Sequence, residues 1–516
     1  MSCMKIFTIR LFRFHTKMML TKQLKVIHRV SARAFSAKEM PQFTKDRYPV
    51  KRGNYNAIND HDISHFESIL EKHRVLTGSD TDMYNIDWIK SVRGASNVVL
   101  KPKTTEEVSE IVKYCHAQKL AVVPQGGNTG LVGGSVPVFD EVVISMGLMN
   151  KIEHIDEYSG IVRCQSGVVL EKLEAAVNEK GLIVPLDLGS KGTCHIGGNV
   201  STNAGGLRLI RYGNLHGSVL GVEAVLANGK ILNLMSNFKK DNTGYHLKHL
   251  FIGSEGSLGV VTKLALHCPT APNAVNLAFV GLENFQQVLN AFLLAKKELG
   301  EILSSVEMID EPSLMASTTM CNLQSPIQKY PFYMIFETSG SNDEHDKEKL
   351  NNFLKNAMEQ SIIVDGVATN EPSKMRTIWE SRERIAESLL KMGYCFKYDI
   401  SLPLSNFYDI VGAVRERVGS HAKLVTGYGH VGDSNMHLNI VCEKFSQEIY
   451  KLVEPFVFEY TSKLNGSISA EHGIGFHKPK YLHYSKSPES IQLMKEIKNL
   501  MDPENILNPY KVLPTS

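Results

Sequence analysis

The sequence has no run of 18 apolar residues, no C-x-x-C pair among its eight cysteines, and no Asp or Glu in residues 1–35. The first absence leaves no segment able to span a bilayer as a helix. The second argues against a disulfide framework and suits a reducing compartment. The third leaves residues 1–35 at +8, from four Lys and four Arg, so a formal charge of +3 for the chain puts −5 on the remainder. A mildly acidic body gives no electrostatic case for nucleic acid. The acid-free leader, with Arg33-Ala34-Phe35-Ser36 resembling a processing site, reads as a mitochondrial presequence and predicts the matrix; a basic tail without structure is the alternative. At 516 residues and 43% hydrophobic, the chain can bury two or more cores.

Absences also limit the glycine-rich segments. Leu120-Ala121-Val122-Val123-Pro124 reads as a strand running into residues 125–135, QGGNTGLVGGS. No Gly-Lys-Ser/Thr follows, which excludes a P-loop. Glu141-Val142-Val143-Ile144 reads as a strand where a Rossmann fingerprint needs a helix. Upstream, Val98-Val99-Leu100 reads as a strand, and Thr104 and Glu107 as a capping box opening a helix with Val108, Ile111, Val112 and Cys115 as its stripe. Alone, such a loop is better read as a plain hairpin linker. Two more follow at residues 197–206 and 253–259, with strands expected at 161–164, 182–184 and 219–226 and a helix at 170–180. Three glycine-dense loops together suggest a long phosphate-bearing ligand held by backbone N–H groups, and a dinucleotide fits.

After Cys268-Pro269-Thr270-Ala271-Pro272 the pattern changes. Helices expected at 283–299, 346–360, 373–392 and 405–418 alternate with strands at 302–308, 332–337, 395–400, 422–426 and 437–441, and a last helix runs over 488–501. In residues 427–440, GYGHVGDSNMHLNI, two imidazoles flank the turn Gly432-Asp433-Ser434-Asn435. A hairpin about that turn sets His430 opposite His437, about 5 Å apart at Cβ, with Asn439 on the same face. With Glu471-His472 as a third candidate, these residues could hold a catalytic Zn²⁺; two half-buried strand histidines bonded to backbone fit the spacing too. Lys397 lies in an aromatic strand and wants an anion, either Asp399 or a substrate carboxylate, whereas Arg384 reads as solvated.

The runs PQGGNTGLVGGSVPV, LGSKGTCHIGGNVSTNAGGLRLIRYGNLHG and FIGSEGSLGVVT resemble the flavoproteins of the vanillyl-alcohol oxidase and p-cresol methylhydroxylase type. From Tyr48 onward, DLGSKGTCHIGGN, FYMIFETSGSN, KYDISLP, GYGHVGDSNMHLN, SAEHGIGFHK and ILNPYK narrow the resemblance to that family's mitochondrial D-2-hydroxyglutarate dehydrogenases. The resemblance implies an α+β fold: a two-part FAD-binding domain (92–271), a substrate cap domain with a ferredoxin-like antiparallel sheet carrying the metal site (272–476), and a C-terminal helix and tail returning to the FAD site (477–516). The presequence (1–35) and an N-terminal helical arm (36–91), apolar at helical spacing from His61 to His73, precede them.

The resemblance further implies non-covalent FAD, since residues 125–130 contain no histidine; His195 is a remote candidate for attachment. FAD would be held by Gly126, Gly127, Asn128, Thr129, Gly130, Leu131 and Ser135, by Gly198, Asn199, Thr202, Asn203 and Gly205, by Gly259 and Val260, and by Asn508. It implies Zn²⁺ on His430, His437 and Glu471, substrate contacts from Arg382, Lys397, Asn439 and His472, and His472 as the base. D-2-hydroxyglutarate would go to 2-oxoglutarate, with hydride to flavin N5 and electrons to an electron-transferring flavoprotein; a homodimer is a candidate assembly. A threonine of the family is Ala386 here, which touches fine specificity. D-lactate or another D-2-hydroxy acid as substrate, a zinc hydrolase, and a non-catalytic flavin- or metal-binding subunit are the competing readings.

Overall fold

The computed structural model describes residues 44–515. The presequence and the first residues of the arm lie outside the described residues. Three sheets organise the remainder. The first has four strands in the spatial order Val75–Thr77, Val98–Leu100, Val142–Ser145, Val122–Gln125. Its outer pair is antiparallel and the others are parallel. Residues 126–135 therefore cross between parallel strands and close no hairpin. The arm is mixed: its helix spans Asp60–Ile69, shorter than the His61–His73 spacing suggests, and Val75–Thr77 adds a sheet edge.

The helix Thr105–Ala117 packs Val108, Ile111, Val112 and Cys115 on this sheet. Thr104 caps it by accepting the Glu107 N–H at 3.2 Å. The reciprocal half of the box is displaced, because Glu107 accepts the Lys103 N–H and pairs with Arg74. The second sheet is antiparallel, in the order Ile152–Asp156, Ile161–Gln165, Val260–His267, Val219–Val225, Ile231–Leu234. Residues 182–184 form no strand; Leu182 makes a single bridge to Thr270.

The third sheet has seven strands, all pairs antiparallel, in the order Asp365–Thr369, Ala274–Leu282, Phe332–Gly340, Leu303–Asp310, Leu424–His430, Asn435–Cys442, Tyr394–Ser401. Helices cover both faces. Phe285–Glu298, Asp343–Glu359 and Asp409–Val418 pack on one, and Glu311–Cys321, Pro372–Glu383 and Ile385–Met392 on the other. This exceeds the ferredoxin-like sheet expected of the cap, and it explains why Ala274–Leu282, buried on both faces, carries no alternation to betray it. The helix expected at 373–392 breaks at Arg384 into two.

The two halves are joined by an ion network. Arg208 donates to Glu337 at 2.8 and 3.2 Å and to Asp187 at 2.8 Å. Glu337 is fully buried in the strand Phe332–Gly340. The C-terminal helix Pro488–Met501 falls where periodicity places it, and Lys498 beyond its midpoint donates to the Ser257 and Leu507 carbonyls. Removing one partner of a buried pair leaves an uncompensated charge. Arg208→Ala is therefore expected to lower stability by about 3 kcal/mol, seen as a drop in the denaturant midpoint. Arg208→Met with Glu337→Leu should recover much of that loss.

Candidate active site

The first glycine segment leaves its strand at Gln125, whose buried amide donates to the Tyr84 and Ser135 carbonyls. Asn128, left-handed at φ 53, donates to the Ile86 carbonyl and accepts from the Ser135 hydroxyl. A Cβ at Gly127 would sit 2.1 Å from the Thr193 carbonyl oxygen, so only glycine lets the loop approach the segment leading into the second glycine cluster. That second cluster is no loop at its start: Ile196–Thr202 is a helix, ended by Asn203 at φ 49. Gly197 brings the first turn against Ser166.

A cavity of about 140 Å³ lies between these elements. Its wall includes Gly126, Gly127, Asn128, Thr129, Gly130 and Ser135 from the first segment, Gly198, Asn199 and Thr202 from the second, and Gly259 and Val260 from the third. Four expected residues lie off it. Leu131 is half-buried to one side. Asn203 forms the helix cap, Gly205 packs on Glu471, and Asn508 turns its amide to the Gly134 and Glu255 carbonyls. Ser166 and Glu255 line the cavity without having been singled out as binding residues, and so does His195, named only as a remote candidate for attachment. Ser166 follows the strand Ile161–Gln165 and carries no sequence signal, whereas Glu255 sits inside a glycine cluster that does.

The chemistry of the wall suits a polar ligand with phosphates. Ser166 Oγ, His195 Nδ1 and Asn199 Oδ1 are buried there without hydrogen-bond partners, a cost a bound ligand would relieve. Burial lowers the His195 pKa, which keeps the ring neutral. These residues fit a dinucleotide.

His472 belongs to the same wall and to a second group of residues. The histidine hairpin differs from expectation by register: His430 opposes Asn435, and His437 opposes Tyr428. The turn is Val431–Asp433 followed by left-handed Ser434, because Asn435 joins the strand, its side chain donating to Asp399 at 2.7 Å. The imidazoles are thus diagonal neighbours on one face. Their Nε2 atoms lie 3.2 Å apart, and Glu471 Oε1 lies 3.7 Å from His430 and 3.6 Å from His437. A tetrahedral ion with bonds near 2.1 Å needs ligand separations of about 3.4 Å. The three fit. Asp399 and His472 form another close group with His437 and Glu471. Asp399 reads as an outer partner, since its oxygens already accept from the Glu471 and His472 N–H groups and from Asn435.

Strand register supplies a carboxylate behind each imidazole. Glu307 opposes His430 and accepts from its Nδ1 at 2.6 Å; Asp399 opposes His437, 3.7 Å from its Nδ1. Burial disfavours a charge on His430, yet Glu307 and Glu471 outweigh it and lift its pKa well above the ordinary value. Burial, then the charges at His430 and Arg382, push His437 well below it. Burial likewise works against ionised Asp399, but His472, Lys478 and His437 hold it below the usual carboxylate range.

The expected substrate residues converge on this group. Buried Arg382 donates from Nε to Glu307 at 2.8 Å, places Nη2 3.5 Å from His430 Nε2, and stacks over the Tyr428 ring at 4.7 Å. Lys397 opposes Asn439 across the strands. Its Nζ lies 3.4 Å from the Ala386 carbonyl. Asp399, the alternative acid for it, is engaged with its other donors. Asn439 donates to the His437 carbonyl at 3.2 Å. His472 stacks on His437, ring centroids 5.6 Å apart, with Nδ1 3.6 Å from Asp399 and Nε2 3.8 Å from Glu471.

Residues 96–235 match the family described as FAD binding domain, and residues 271–512 the family described as FAD linked oxidases, C-terminal domain. The chain is 48% identical to the mitochondrial D-2-hydroxyglutarate dehydrogenase of Bos taurus, over 95% of this chain and 90% of that protein. It is 46% identical to the D-2-hydroxyglutarate–pyruvate transhydrogenase of Saccharomyces cerevisiae, over 93% and 100%. The structure of p-cresol methylhydroxylase with substrate bound superposes at a TM-score of 0.71 and 16% identity, covering 88% of this chain and 96% of that one. That likeness shows the fold, a two-part FAD-binding domain with a cap.

A carboxylate behind a ligand imidazole fixes its tautomer and orientation. If the triangle takes up Zn²⁺, Glu307→Gln is expected to weaken binding of the added ion roughly 10- to 100-fold in chelator competition, with flavin content unchanged. Equal zinc affinity would show that Glu307 serves Arg382 alone.

Proposed function

The chain belongs to the FAD-linked oxidases and is an FAD-dependent oxidoreductase; on that premise we propose that it oxidises D-2-hydroxyglutarate to 2-oxoglutarate at a zinc-assisted site in mitochondria. The observation that carries this reading is His472 standing on the wall of the flavin cavity and beside the His430–His437–Glu471 triangle. Substrate oxygens gathered there are within reach of a base and of the cofactor together.

Bound FAD supplies a two-electron acceptor at N5, held without a covalent bond, and bound Zn²⁺ supplies Lewis acidity toward the 2-hydroxyl. His430, His437 and Glu471 would hold the ion. Arg382 and Lys397 bring positive charge to a dicarboxylate, and Lys397, whose nearest polar partner is a carbonyl, has a donor set to offer. His472 faces Asp399 with Nδ1 at 3.6 Å, an orientation that suits a proton on Nδ1 and would leave Nε2 to take the hydroxyl proton. In the overall reaction the substrate loses that proton and a hydride from C2. Electrons would pass on to an electron-transferring flavoprotein in the matrix. The yeast relative's name supports a second reading in which pyruvate is the acceptor.

The test is the absorbance spectrum of purified protein before and after anaerobic D-2-hydroxyglutarate, with D-lactate in parallel. Bleaching of the yellow band by the diacid supports the assignment; strong preference for lactate rejects it. Pyruvate or electron-transferring flavoprotein is then added to see which restores the colour.

His472→Asn should lower turnover by roughly 10²- to 10⁴-fold in a protein that stays yellow. Lys397→Met is expected to raise KM for D-2-hydroxyglutarate far more than for D-lactate, measured by steady-state kinetics. An equal effect on both substrates would remove Lys397 from the distal carboxylate.

A further inference from the structure

The loop that presents Glu471 and His472 has its backbone N–H groups divided between two buried carboxylates. Glu471 and His472 donate to Asp399 Oδ2 at 2.9 and 2.8 Å, on the cap strand Tyr394–Ser401. Ile474 and Gly475 donate to Glu255 Oε1 and Oε2, each at 2.8 Å, in the flavin-binding half. The chain reverses between them at Gly473, φ +84, where a Cβ would stand 2.8 Å from Glu255 Oε1. No other residue fits that turn without displacing the carboxylate.

Glu255 is itself rooted in the cavity wall. It is left-handed at φ 52, donates its N–H to the Ser201 carbonyl at 2.8 Å, and accepts the Asn508 amide on its own carbonyl at 2.7 Å. Ser201 lies in the helix Ile196–Thr202. The same loop is fastened to the first glycine segment, Phe476 donating to the Val132 carbonyl at 2.8 Å. Gly205 lies against Glu471, since a Cβ there would sit 2.6 Å from Glu471 Oε2. Each glycine cluster of the flavin half therefore touches the loop that carries a ligand and the base.

We propose that Glu255 is a positioning residue that ties this loop to the flavin-binding wall, so that FAD and Zn²⁺ bind cooperatively. The inference rests on the reading of both seats given above. Order in the cavity wall is transmitted through two N–H···carboxylate bonds to Glu471, and order at Glu471 returns by the same route. Coupling between binding sites is reciprocal, and a factor of roughly 5 to 150 is usual.

The experiment compares Zn²⁺ dissociation constants of FAD-replete and FAD-depleted protein, by competition with a chromophoric chelator. Its mirror image measures the FAD dissociation constant of the folded protein with the metal present or chelated. The expected ratio is roughly 5- to 150-fold and equal in both directions. In Glu255→Gln one oxygen still accepts, but the amide group confronts the other N–H, and the ratio should fall toward one. Glu255→Asp keeps the charge, cannot span both N–H groups, and should lower it too. A purely structural role would weaken both affinities and leave the ratio standing. A wild-type ratio of one, or an undiminished ratio in both variants, overturns the coupling. A holoenzyme that binds no zinc overturns the metal reading beneath it instead.

Discussion

Two cross-strand pairs, Glu307 with His430 and Asp399 with His437, are what the rest of the site depends on. A carboxylate with no exposed surface, as at Glu307, is tolerated only when positive or donating groups surround it. Glu307 meets that condition by accepting from His430 and from Arg382 at once. One buried acid thereby fixes a candidate metal ligand and a candidate substrate cation in a single geometry. Asp399 accepts from the backbone of Glu471 and His472 and stands 3.7 Å from His437 Nδ1. Removing either acid would leave several buried polar groups without partners, so the arrangement stands or falls as a unit.

Rigidity of this kind comes from the seven-stranded sheet. Its strands near the site are buried on both faces, and helices fix it from either side. Glu307, His430, His437, Asn439, Lys397 and Asp399 all project from three pairings in that sheet. Positions on strands hold side chains more narrowly than loops do. Loops enter where approach to a ligand is needed: the glycine segments of the other half, and the turn through Gly473. The halves are joined by Arg208 between Asp187 and Glu337, close to the site, since Gly206 packs on the Asp187 backbone and the adjacent Gly205 on Glu471.

Much of this was legible in the sequence, unevenly. The first and third glycine clusters, the capped helix Thr105–Ala117 and the helix Pro488–Met501 follow from local pattern, and local structure obeyed it. The pairing of His430 with His437 was legible as proximity and wrong as register. The shift arises from Ser434 in the left-handed region and from the bond between Asn435 and Asp399, whose partner lies 36 residues away. Glu307 was invisible because its partner is 123 residues distant, and no spacing rule reaches that far. Residues 197–202 misled because glycine predicts a loop, whereas here it serves a helix pressed against Ser166. The strand Ala274–Leu282 was missed for want of alternation, the usual result of burial on both faces.

The charge around the triangle argues for what should occupy it. Glu307, Asp399, Glu471 and Asp433 bring four acids; Arg382, Lys397 and the buried Lys478 behind Asp399 bring three cations. The surroundings thus hold no excess of positive charge, a poor attractor for a dianionic substrate. His430 shows where positive charge is wanted, since its two carboxylate neighbours overcome burial to raise its pKa. A proton on His430 would answer that demand but abolish its lone pair. A dication among His430, His437 and Glu471 answers it without that loss, and would turn the pocket into one that draws a dicarboxylate toward Lys397 and the base. On this account the same ion that would acidify the hydroxyl also supplies the field that brings the substrate in.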